Sequence, residues 1–96
     1  MRRQNTEPLK EVLERWLKAV GADKKLKEIR LVNQWEEVIG RNIARSTKDI
    51  YIKNGILYLE IISPVVKHEI LMLKQGIIKK MNEMAGEIII TDLKLI

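Results

Sequence analysis

Apolar and polar positions along this 96-residue chain follow a helical period, switch to an alternating one, and switch back. Leu9, Val12, Leu13, Trp16, Leu17 and Val20 recur at helical spacing, with Lys10, Glu11, Glu14, Arg15 and Lys18 opposite. Thr6 offers a cap for this first helix, Pro8 fits its first turn, and Gly21 suits its stop. A second helix is predicted from Asp23, as N-cap, toward Gly40. Its buried stripe is Leu26, Ile29, Val32, Trp35 and Val38 or Ile39.

Over "KDIYIKNGILYLEII", residues 48–62, the period becomes two on both sides of Asn54-Gly55, the pair preferred in type I′ turns. A two-residue loop pairs Lys53 with Ile56, Ile52 with Leu57, Tyr51 with Tyr58 and Ile50 with Leu59. Ile50, Ile52, Leu57, Leu59 and Ile61 then share the core face, and the two tyrosines meet on the other. Ser63-Pro64 opens a third helix, with serine as N-cap and proline in the first helical position. Val66, Ile70, Leu73, Ile77, Met81 and Met84 form its stripe, and Gly86 ends it. Gly76 inside that helix costs about 1 kcal/mol relative to alanine, and a close backbone contact is the expected reason for it. "EIIITDLKLI", residues 87–96, closes the chain as a strand.

The order is α-α-β-β-α-β, an α+β domain with a small three-stranded mixed sheet and helices mainly on one face. The last helix is a crossover long enough to permit parallel pairing. Residues 1–6 read as a polar basic arm and 7–96 as the single domain.

Composition removes several function classes. There is no cysteine, which excludes disulfide frameworks, thiolate zinc sites and cysteine nucleophiles. The opening "MRRQNTEPLK" has no apolar run, and no stretch of about 18 apolar residues occurs anywhere. A cytoplasmic protein without membrane contact is expected. Phosphate-cradling G-x-x-x-x-G-K and G-x-G-x-x-G patterns are absent. The one histidine, His68, neighbours Glu69 on a helix, and adjacent helical residues diverge too far to form an acid–base couple. No enzyme, cofactor or metal is expected.

Charge is uneven. Residues 1–48 hold twelve Lys/Arg against seven Asp/Glu, whereas 49–96 hold six of each. The formal surplus of +5 therefore sits in the first half, which suggests an anionic partner there or serves solubility alone. Lys24, Lys25, Lys27 and Arg30, joined by Arg2 and Arg3 on the arm, are the candidate phosphate contacts. Helical spacing sets Lys27 near Lys24 and turns Lys25 away. Tyr51 and Tyr58 beside Lys53 read either as a small stacking platform for bases or as a cross-strand pair stabilising the hairpin. Asp49 and Glu60 on the same face repel phosphate.

The stretch "NQWEEVIGRNIARST", residues 33–47, has a structural inside and a candidate functional outside. Trp35 is read as core rather than partner anchor, and Gly40 as a turn with positive φ. Ile43 and Ala44 re-enter the core, and Arg41, Arg45 and Thr47 are left outside.

Three segments carry a resemblance: Trp35 to Thr47 with Gly40 between, "NGILYLEI" over 54–61, and "SPVVKHEILMLKQGIIKKMNEMAG" over 63–86. From about residue 9 onward the chain resembles the DciA family of bacterial proteins, although Glu69-Ile70 stands where that family usually has Glu-Leu. The resemblance implies a KH-like fold and a role in DNA replication. It implies an adaptor that recruits or loads the ring-shaped replicative helicase and binds DNA without an ATPase of its own. Many relatives of that family have a long basic or disordered extension, and some carry a zinc ribbon. This sequence carries neither, so a compact form with its binding functions inside the domain is expected. The G-x-x-G clamp of nucleic-acid-binding KH domains is missing from "GADK" and "GRNI", so KH-style strand recognition is not expected. DNA contact is expected to be weak and not sequence-specific. The alternative is an RNA-binding or protein-only interaction module.

Overall fold

In the computed structural model, residues 8–96 are described. The arm at 1–6, with Arg2, Arg3 and the Thr6 cap, lies outside the described residues. The elements are α1 (Leu9–Ala19), α2 (Asp23–Asn33), α3 (Trp35–Ile39), α4 (Arg41–Arg45), β1 (Thr47–Lys53), β2 (Ile56–Ile61), α5 (Pro64–Ala85) and β3 (Asp92–Leu95). They give an α+β fold in the expected order, with the second helical segment divided and one short helix added.

The hairpin forms as its turn residues dictate. Asn54 and Gly55 have φ of 53° and 77°, the positive values that a type I′ turn needs. The register is Lys53–Ile56, Ile52–Leu57, Tyr51–Tyr58 and Ile50–Leu59, antiparallel, with an irregularity between Thr47 and Asp49. β2 pairs with β3 in parallel, so the sheet order is β1-β2-β3 with α5 as crossover. Ile52, Leu57, Leu59 and Ile61 are buried against the helices, and Ile50 is half-buried.

α5 starts at the expected cap: the Ser63 hydroxyl accepts the Val66 N–H, and Pro64 opens the first turn. Gly86, in the left-handed conformation, ends it. Its buried line is Ile70, Ile77 and Met81, with Val66 half-covered, but Leu73 and Met84 are exposed. Leu73 instead lines a groove beside Val38 of α3, and Met84 one beside Leu31 and Gln34, on the side of α5 that faces the other helices. The expected close contact at Gly76 is also absent. A Cβ built there meets nothing within 4 Å.

The second helical segment departs further. Ala22, not Asp23, is the N-cap of α2, and the helix breaks at Gln34 instead of running to Gly40. The expected single stripe combines two different faces. Leu31, Trp35 and Val38 face the core, while Leu26 is buried on the opposite side of α2, where α1 packs. Ile29 falls between the two faces and is 44% exposed. α1 itself buries none of its residues; it packs on α2, with Leu9, Leu13, Trp16 and Val20 open.

The closing strand is shorter than expected, because Asn82 replaces a strand partner over its first half. The Asn82 side chain accepts the N–H groups of Ile89 and Ile90, each at 2.9 Å, and donates to the Ile90 carbonyl at 2.8 Å. Ile89 and Ile90 are buried yet lie outside the ladder. Thr47, expected outside, is half-buried and bonded to Trp35. Gly40 has φ of 92° and turns the chain from α3 into α4 as expected.

Candidate nucleic-acid interface

Gly21, with φ of 80°, reverses the chain between α1 and α2. That reversal brings Lys18, at the end of α1, to Lys24 and Lys27 in the first turns of α2. The three surround a cleft of about 560 Å³ that Asp23, Arg30 and Glu87 also line. Lys25 points elsewhere, into a shallow groove beside Tyr51 and Glu28. Lys24 and Lys27 thus share a face and Lys25 does not, as their spacing requires.

Ion pairs thin out the charge of this cluster. Lys27 pairs with Glu87, Arg30 Nη2 with Glu14 Oε2 at 2.6 Å, and Lys25 Nζ with Glu28 Oε1 at 3.8 Å. Lys18 and Lys24 make no ion pair among the described residues. Their ammonium groups are therefore the ones most able to exchange counterions for phosphates. Lys18 was overlooked from sequence because it belongs to the preceding helix. Its distance of three residues from a helix-ending glycine is the signal that could have found it.

Arg41 and Arg45 are exposed on α4, which packs on α3 and β1, so they form a group apart from the α1–α2 cleft. Tyr51 and Tyr58 stack on each other with centroids 5.0 Å apart and planes at 20°, on the sheet face away from the helices. Lys94 on β3 stands in register beside Tyr58. Each ring spends one face on the other, which favours the cross-strand role over an open platform. His68 and Glu69 are both exposed on α5.

Among the described residues, no helix is long and apolar enough to cross a membrane. Nor does any group of three or more His, Asp or Glu side chains gather as a metal site among them. Comparison with known families then places the chain. The family model described as "Dna[CI] antecedent, DciA" matches residues 8–95, nearly the whole sequence. The chain belongs to the DciA family, whose role is in loading the replicative helicase. No curated protein and no solved structure matches the chain.

Proposed function

We propose that this protein is a non-enzymatic adaptor that binds DNA weakly at the α1–α2 cleft and recruits or loads the replicative helicase in the cytoplasm. Family membership over residues 8–95 supports the helicase half. The DNA half is carried by one observation: two different helices bring Lys18 and Lys24 together with no carboxylate partner among the described residues. Arg2 and Arg3 on the arm, and Arg41 and Arg45 on α4, are further candidate phosphate contacts. A KH-like organisation belongs to the same proposal, supported by the mixed three-stranded sheet with its crossover helix.

Binding of this kind is electrostatic and indifferent to sequence. Four to six phosphate contacts give a slope of log affinity against log salt of roughly −3 to −5. Fluorescence anisotropy with single-stranded, forked and duplex DNA across a salt series measures it. Reversing Lys18→Glu with Lys24→Glu removes two contacts and makes the slope shallower by about 1.4 to 1.8 units. Lys79→Glu with Lys80→Glu, in the half of the chain with no net charge, is the control and has the smaller effect. Equal losses from both double reversals sink the cleft assignment.

A second reading has its own support. The pairing of Lys25, Lys27 and Arg30 with carboxylates suits a surface built for solubility. On that reading the module contacts protein alone, and no nucleic acid, DNA or RNA, shifts the anisotropy.

A further inference from the structure

The sheet order leaves β1 with one edge that no other strand covers. A two-residue turn makes Lys53 and Ile56 a hydrogen-bonded pair, and bonded and non-bonded pairs alternate from there. Tyr51–Tyr58 and Asp49–Glu60 are bonded; Ile52–Leu57 and Ile50–Leu59 are not. The backbone polar groups of Ile50 and Ile52 therefore point away from β2. Two contacts agree with this. The Leu59 carbonyl accepts the Ile96 N–H at 2.9 Å on the β3 side, and the Ile50 N–H is held at 2.9 Å by the Asp49 carboxylate. A strand edge with outward donors and acceptors is a template for another strand.

We propose that this edge pairs with β1 of a second copy of the chain, antiparallel about a two-fold axis at Tyr51, merging two sheets into one. Hydrogen-bond parity requires Ile50 and Ile52 to exchange bonds across the axis. Three symmetric registers satisfy that parity, centred on Ile50, Tyr51 or Ile52. Only the register centred on Tyr51 also matches charge. It sets Asp49 opposite the partner's Lys53 and Lys53 opposite the partner's Asp49, on the open face where both residues are exposed. The centre on Ile50 sets Lys53 against the partner's Thr47, and the centre on Ile52 sets it against the partner's Tyr51.

The same register aligns the aromatics. Tyr51, 40% exposed, comes beside the partner's Tyr51, and the Tyr51–Tyr58 stack extends across the axis as a ladder of rings. On the helical face, half-buried Ile50 meets the partner's Ile52, closing a groove that Ile29 and Val32 leave open. Asp49 acts as a local placeholder in the monomer. Its carboxylate gives up the Ile50 N–H to the partner's Ile52 carbonyl and turns to the partner's Lys53. Lys48, at the irregularity between Thr47 and Asp49, ends the flat edge and confines pairing to residues 49–53. Two-fold symmetry makes each contact twice. The pairing is independent of the DNA reading, since its residues lie on the hairpin and not in the α1–α2 cleft.

The chain has no cysteine, which permits a clean cross-linking test. A non-hydrogen-bonded antiparallel pair has its Cα atoms about 4.5 Å apart, within disulfide reach. Tyr51→Cys is expected to oxidise to a covalent dimer in air. Lys94→Cys, exposed on β3, is expected to stay monomeric. Sedimentation equilibrium of the cysteine-free chain is expected to show a monomer–dimer equilibrium. Lys53→Glu weakens it roughly tenfold, and adding Asp49→Lys restores it, with melting of the dilute protein unchanged. A wild-type chain that is monomeric at every concentration overturns the proposal, including when the edge instead takes an extended segment of another protein. Equal cross-linking of the two cysteine variants overturns it as well, as does an association that Lys53→Glu leaves intact.

Discussion

The Trp35 indole Nε1–H donates to the Thr47 hydroxyl at 2.9 Å, and that hydroxyl donates in turn to the Ile43 carbonyl at 2.9 Å. One relay therefore fastens α3, α4 and the start of β1. It also gives the buried indole the partner that a polar handle needs. Trp35→Ala is expected to destabilise by about 3–5 kcal/mol. Thr47→Val leaves the indole N–H without a partner and costs about 1–3 kcal/mol. Trp16, 59% exposed on α1, should be replaceable by serine with little change. Denaturant titration of the three variants ranks them; a Trp16→Ser protein as unstable as Trp35→Ala contradicts the burial pattern.

Gly76→Ala is expected to stabilise the protein. The residue sits inside α5, a Cβ there meets no neighbour, and alanine recovers about 1 kcal/mol of helix propensity. A raised melting temperature confirms the open environment. A lowered one restores the close contact that the sequence suggested.

Asn82 is expected to matter more than its half-buried place on α5 suggests. Asn82→Leu removes both acceptor bonds to Ile89 and Ile90 and the donor bond to the Ile90 carbonyl, at a cost of about 2–3 kcal/mol. Amide exchange at Ile89 and Ile90 should quicken together. Unchanged protection at both amides would show that Asn82 does not clamp this segment.

How much the sequence revealed depended on whether the signal was local. The Asn54-Gly55 turn and the Ser63-Pro64 cap act within a few residues, and both elements formed where their residues predicted. The break at Gln34 was hidden because Leu26 and Leu31 are buried against different neighbours, α1 on one side and the sheet and α5 on the other. A single apolar stripe cannot encode two such faces. Ile89 and Ile90 looked like ladder residues because burial alone gives a strand-like run. The Asn82 clamp that makes them a loop acts across seven or eight residues of chain. For the site, Lys24, Lys27 and their shared face were legible from helical spacing. Lys18 and the carboxylates that neutralise Lys27 and Arg30 arrive from other elements, so sequence reading missed them.

Lys74 Nζ lies 2.7 Å from Asp92 Oδ1, linking α5 to β3. The hydrogen bond from Lys74, helped by the Leu93 N–H, lowers the Asp92 carboxyl below its ordinary value of 3.8. A depressed folded-state pKa contributes stability above the unfolded value and loses it as pH falls through the folded one. Wild type is therefore expected to lose stability below about pH 4 more steeply than Lys74→Ala. Thermal melts of both proteins from neutral to acid pH check this, and parallel curves contradict it.

In the proposed role, this protein joins the replicative helicase to DNA without chemistry of its own. The most direct measurement is recovery of the helicase on circular single-stranded DNA, from purified components, with and without this protein. The protein is expected to raise the helicase retained on the circle, Lys18→Glu with Lys24→Glu to reduce the gain, and His68→Ala to leave it intact. Helicase retention unchanged by the protein, with no complex of the two on gel filtration, would contradict that role.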